Sequence, residues 1–187
     1  MRNRVNAVIA SASVVVAACA QPSTDQGELA RVHWLSGIKS IVQSGDFSDY
    51  QRVAKALNLT LIAQPPVEVK DVDGKISGES FDVKIIPTKG VSDKGEIDFY
   101  YRVYTPNDRS YRRAIVTARK VGLSECIALS DIYETFGRGR KMAYPDSGYY
   151  AVNYHFNGSN IIDLSFTFDA VDAKCLSQIA IFQNRWK

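Results

Sequence analysis

The sequence predicts an α+β fold built from two units in tandem, each a helix followed by a three-stranded antiparallel sheet. Three observations predict it. Apolar residues recur at i, i+3, i+4 and i+7 in two short stretches that lie 79 residues apart. Alternating apolar and polar runs follow each stretch. Turn-forming clusters, Pro106-Asn-Asp and Asn157-Gly-Ser-Asn, separate several of those runs.

In order along the chain, Val32, Leu35, Ile38, Ile41 and Val42 give the first helix, from about Leu29 to Val42. In the first repeated stretch, Ser48 is the expected N-cap, with Gln51 at the capping-box position. Tyr50, Val53, Ala54 and Leu57 form the apolar face, and Asn58 can close the helix in the left-handed conformation. Strands follow at Ser80 to Ile86, Glu96 to Tyr104 and Arg112 to Lys120. Their apolar sets are Phe81, Val83 and Ile85; Ile97, Phe99, Tyr101 and Val103; and Ala114, Val116 and Ala118. The second repeated stretch carries Leu129, Ile132, Tyr133 and Phe136, capped by Ser124 or Ser130 and closed by Gly137. Its strands are Tyr149 to Phe156, Asn160 to Phe168 and Cys175 to Gln183. Shifted by 79 residues, Phe81–Ile86 falls on Asn160–Ser165 and Ile97–Tyr104 on Leu176–Gln183. The implied units are 29–120 and 121–187.

The 187 residues, with 12 Gly and 6 Pro, exclude collagen, low-complexity disorder and coiled coil. The net charge of +3 is too small and too scattered for a nucleic-acid partner. The apolar run Val5 to Ala20 is shorter than the ~20 residues a bilayer requires. Arg2 and Arg4 precede that run, which gives the n-region and h-region of a secretory signal peptide.

The run ends in Val16-Ala-Ala-Cys19, which resembles the lipobox of bacterial lipoproteins. That resemblance implies removal of residues 1–18, lipidation of Cys19, and a flexible tether over 19–28. Anchoring then comes from lipid chains, each buried CH₂ contributing about 0.8 kcal/mol. Ala20 is not the Asp of an inner-membrane retention signal, so the implied site is the outer membrane, facing the periplasm. The competing readings are an uncleaved anchor or an ordinary signal cut near Ala18 or Ala20. Loss of Arg2 and Arg4 leaves 21 basic against 20 acidic residues, so most of the basic excess belongs to the export signal.

In an oxidising compartment Cys126 and Cys175 are expected to pair. Closing that 50-residue loop contributes on the order of 4 kcal/mol in the chain-entropy picture. A reactive thiol at Cys126 is the alternative, with no basic neighbour in sequence to activate it.

Secreted modules in which a helical start packs on an antiparallel sheet are also known among BamE/SmpA-type lipoproteins and tandem β-lactamase-inhibitor proteins. The chain resembles them in arrangement over residues 45–185. The resemblance implies a protein-binding role in the envelope and carries no site residues over.

Motifs for catalysis or metals do not emerge. The chain has no His-x-x-x-His, His-Glu-x-x-His, Cys-x-x-Cys, Gly-x-Ser-x-Gly or P-loop. Asp71-Val-Asp-Gly starts like a calcium loop, but the position that requires Glu is Ser80, so a turn is expected. Gly137-Arg-Gly-Arg lacks the strand and helix that a phosphate loop needs. No metal, cofactor or enzyme activity is expected. The surface feature that stands out is Tyr100, Arg102 and Tyr104 on one strand face, an interface composition. Arg112, Arg138 and Arg140 are candidate neighbours of that face. The expected function is a lipid-anchored, non-catalytic protein-binding module, an accessory factor of an outer-membrane or secretion assembly. The alternative is a periplasmic inhibitor or immunity protein that neutralises a toxin or hydrolase.

Overall fold

The structure, a computed structural model, describes residues 25–86, 98–119, 126–144, 148–169 and 174–185. The signal peptide, Cys19 and residues 19–24 of the tether lie outside these residues, as do Glu96, Ile97 and Lys120 at the ends of two expected strands.

Among the described residues three helices form: α1 (Asp25–Ser44), α2 (Tyr50–Leu57) and α3 (Leu129–Phe136). In α2 the N-cap is Asp49, whose carboxylate accepts from the Gln51 and Arg52 backbone N–H groups. The expected Ser48 cap is therefore corrected: its backbone and hydroxyl both donate to Asp46 instead. Asn58 closes α2 with φ 52° and ψ 44°, the left-handed conformation that a short polar side chain tolerates. For α3 the N-cap is Ala128, so neither expected serine caps it. The Asp131 carboxylate reaches back to accept from the Ala128 N–H, half of a capping box. Gly137, with φ +77°, ends this helix and donates to the Tyr133 carbonyl.

The described residues also form nine strands: β1 (Leu61–Ala63), β2 (Val67–Lys70), β3 (Ile76–Ile85), β4 (Asp98–Pro106), β5 (Arg113–Arg119), β6 (Arg140–Tyr144), β7 (Tyr149–Asn157), β8 (Asn160–Phe168) and β9 (Gln178–Arg185). They make one antiparallel sheet in the order β1-β3-β4-β5-β9-β8-β7-β6, with β2 also paired to β3. The two units of three strands are corrected on two counts. Each half carries additional edge strands, β1 and β2 in one and β6 in the other. The halves also do not stand apart, because β5 pairs with β9 from Ala114↔Gln183 to Arg119↔Gln178. The 79-residue offset fits α2 and α3 but carries β3 onto β8. Counted outward from the β5–β9 seam, the strand that matches β3 is β7.

Alternation decides which face is buried. Tyr101 and Val103 of β4, Val116 of β5, Ile181 of β9, Leu164 and Phe166 of β8 and Val152 of β7 point to one side and are all buried. The helices cover that side. Phe47, Leu35, Ile38, Ile41 and Val53 join the same cluster, as do Ile127 and Ile132 around α3. Gly37 lets α1 approach α2: a Cβ there would collide with the Ala56 carbonyl. The Cys126–Cys175 disulfide forms, with the two Cα atoms 4.9 Å apart. It joins the segment before α3 to the segment before β9, where the Leu176 N–H also donates to the Ile127 carbonyl.

A polar knot pins the α1–α2 connection to the sheet. The Phe47 N–H donates to Gln183 Oε1, and the Phe47 carbonyl accepts from the Tyr101 hydroxyl. Gln183 Nε2 donates to Asp46 and to the Arg112 carbonyl, at 3.3 and 3.2 Å. Burial alone would raise the Asp46 carboxyl. The hydrogen bonds from Ser48 and Gln183, with the Arg112 charge, outweigh it and hold Asp46 below its ordinary value. Burial, reinforced by the Asp46 and Asp49 charges, pushes the Tyr101 hydroxyl far up, so it stays a donor.

Candidate functional site

The opposite side of the sheet is covered by no helix among the described residues. The pairing registers place Asp82, Arg102, Ile115, Phe182, Asp163 and His155 side by side across six successive strands of this face. Directly opposed residues of antiparallel strands share a face, which is why one row can be read from registers alone.

At one end of the row Arg102 forms a bidentate pair with Asp82, at 2.6 and 3.0 Å. That pair holds the Asp82 carboxyl below its ordinary value. At the other end His155 Nδ1 lies 2.7 Å from Asp163 Oδ1, and this hydrogen bond raises the histidine above its ordinary value. Both pairs are solvent-exposed, so they add little stability and instead fix the orientation of polar groups on the face. Between them lie Ile115, half-buried, and Phe182, 44% exposed. An exposed Phe at the middle of a large sheet, away from its edges, is not required by the fold, since Ile179 and Ile181 already fill the buried side of β9.

The expected site residues divide. Tyr100 and Arg102 lie on this face, with the guanidinium 5.5 Å from the Tyr100 ring centre. Tyr104 shares the face, but its hydroxyl donates to the Ser77 carbonyl and its ring lies against Gly78, where a Cβ would meet it at 2.8 Å. Its role is to close the β3–β4 pairing. Arg140 also lies on this face and shares a row with Tyr100, through Asn153, Ser165, Ala180 and Thr117. Five strand spacings, roughly 24 Å, separate the two, so they do not form one cluster. Arg112 precedes β5, and its charge acts on Asp46 on the helix side. Arg138 lies in the connection between α3 and β6. The structure therefore brings Tyr100 and Arg102 together and sets Arg140 apart from them.

Phe182, Ile115 and the His155–Asp163 pair were not expected as site residues. The available signal was parity. Once Ile179 and Ile181 are assigned inward, Ala180 and Phe182 must face outward. Gln183 obscured it, because a buried glutamine on the inward side breaks the apolar pattern.

Asp71 accepts from the backbone N–H groups of Asp73 and Lys75, and Gly74 has φ +79°, so that segment is the turn between β2 and β3. Among the described residues no three His, Cys, Asp or Glu side chains come together to hold a metal ion. No described helix is long and apolar enough to cross a membrane. Comparisons with protein-family models, with curated proteins and with solved structures return no match for this chain.

Proposed function

We propose that the chain is a lipid-anchored envelope protein, held at the outer membrane through Cys19, that acts by binding protein through the helix-free face of its sheet and performs no catalysis. The observation that carries the binding reading is Phe182, an exposed aromatic flanked on one side by the Arg102–Asp82 ion pair and on the other by the hydrogen-bonded His155–Asp163 pair. This is the pattern of an apolar anchor within a charged rim. The Cys126–Cys175 disulfide is consistent with an oxidising compartment. Within this reading the chain serves an outer-membrane or secretion assembly, and the two halves, each a helix with strands meeting at the β5–β9 seam, descend from a duplicated unit.

Two measurements test it. Labelled palmitate is incorporated by the native chain and not by Cys19→Ser; equal labelling of both removes the anchor. A photo-crosslinking residue at position 182 of the full-length chain captures protein in cells, and the same residue at Lys55, on the helix side, captures far less. Equal capture at the two positions contradicts the face assignment.

A further inference from the structure

The pattern of charge on the helix-free face narrows the kind of protein it fits. From β3 to β7 the central row reads acidic, basic, apolar, apolar, acidic, basic: Asp82, Arg102, Ile115, Phe182, Asp163, His155. Turned end for end, it opposes every charge to its opposite. Resting on the reading of this face as a protein-binding surface, we propose that its occupant is a second copy of the same chain, packed sheet to sheet about a two-fold axis running along the strands between β5 and β9.

That axis sends each residue of the row to the position opposite its mirror-ranked neighbour. Asp82 then faces His155 of the other copy, Arg102 faces Asp163, and Ile115 faces Phe182. By symmetry each contact occurs twice, as an isologous interface requires. Each end of the row becomes a group of four alternating acidic and basic side chains, His155 carrying its charge when protonated. Two Ile–Phe contacts fill the centre, where water is excluded and the apolar area contributes most. The neighbouring rows are compatible: Arg113 meets Asn184, and Tyr100 meets Ser165. The other two-fold axis that lies in the face and passes through this row, perpendicular to the strands, would set Arg102 against its own copy and Asp82 against its own. Self-complementarity thus selects one geometry.

The size is also appropriate. Six strands at ~4.8 Å spacing and about seven residues at ~3.3 Å give on the order of 650 Å² per protomer in projection. Two such faces give about 1,300 Å² in all, at the lower end of the ~1,200–2,000 Å² that a stable interface buries. Face-to-face sheets with nearly aligned strands are a standard packing, with an interlayer distance of ~10 Å filled by side chains such as Phe182.

The test uses two full-length copies with different affinity tags, expressed together, with one tag captured and the other quantified. Native copies co-capture. Arg102→Asp in both copies sets the new carboxylate against Asp163 and lowers co-capture at least tenfold, about 1.4 kcal/mol. Asp163→Arg in both copies does the same through Arg102. One copy carrying Arg102→Asp and the other Asp163→Arg restores co-capture. The carboxylates at positions 82 and 102 of the first copy then face the basic side chains at positions 155 and 163 of the second. That recovery also shows that both variants fold. Native copies that fail to co-capture, single variants that pair like the native chain, or a mixed pair that does not recover each overturn the proposal. The crosslinker at position 182 separates the two levels. Capture of a different protein with no self-crosslink overturns the second-copy occupant and leaves the face as a binding surface. Capture of nothing overturns both.

Discussion

Replacing Gln183 by Leu should weaken the protein far more than its place near the end of β9 suggests. Gln183 is 3% exposed, and its amide serves three partners at once: it accepts from the Phe47 N–H and donates to Asp46 and to the Arg112 carbonyl. Leu is close in volume, so no large cavity opens. The effect comes from polar groups left behind. A buried backbone N–H without a partner costs about 1–3 kcal/mol, and the two weaker, part-buried contacts add less, so we expect about 2–4 kcal/mol in all. The loss should also depend on pH. Asp46 is held below its ordinary 3.8, so its contribution is present above that pH and lost as pH falls through the folded value. Gln183 supplies one of the hydrogen bonds that depress it, so the deficit of the variant should be larger at pH 7 than in acid. Urea unfolding followed by Trp34 fluorescence, at pH 7 and pH 3, measures both quantities, because Trp34 is buried in the same core. Tyr101→Phe, which removes the other anchor of Phe47, should cost about 1 kcal/mol. A Gln183→Leu deficit below about 0.5 kcal/mol, or one that grows on acidification, would refute the reasoning.

Other outcomes follow from the same structure. Gly37→Ala gains about 1 kcal/mol of helix propensity yet should destabilise the protein by ~1–3 kcal/mol net, because the new Cβ collides with the Ala56 carbonyl and sits 3.2 Å from Leu57 Cδ2; thermal melting decides the sign. Removing the disulfide through Cys126→Ser and Cys175→Ser together should lower stability on the order of 4 kcal/mol for a 49-residue separation, read by urea unfolding. His155 should titrate above its ordinary 6.5, and in Asp163→Asn its midpoint should fall back toward that value, read from the imidazole NMR signals. Because the folded value is raised, the His155–Asp163 attraction is present below pH 6.5 and lost as pH rises through the folded midpoint.

Much of the fold was legible because its signals are local. The face of α2, the left-handed Asn58, the β7–β8 hairpin at Asn157-Gly-Ser-Asn and the inward sets of β3, β4, β5, β7 and β8 all follow from spacing of two, three or four residues. The strands that escaped are short edge strands. Val67-Glu-Val-Lys does alternate, but it spans only four residues after Pro65–Pro66, and Arg140–Tyr144 opens inside a run of basic residues that hides its alternation. The joining of the halves was illegible for a different reason. Arg119 pairs with Gln178 across 59 residues, and no local pattern encodes which strands meet at a seam. The site was half-visible for the same cause. Tyr100 and Arg102 belong to one alternating run. The row that links them to Phe182 and His155 exists only once five registers are fixed. Nearness in sequence groups Arg140 with Tyr100, and the sheet sets the two five strands apart.

The central claim is that the helix-free face is made for association and is not a core left partly uncovered. Phe182→Thr separates these most directly, because Thr keeps strand propensity while removing the aromatic anchor. Urea unfolding and tagged co-capture are measured on the same variant. The account predicts a stability change within about 1 kcal/mol together with at least a tenfold loss of association. A loss of about 3–5 kcal/mol in stability, as for a core Phe, with association unchanged, would contradict it.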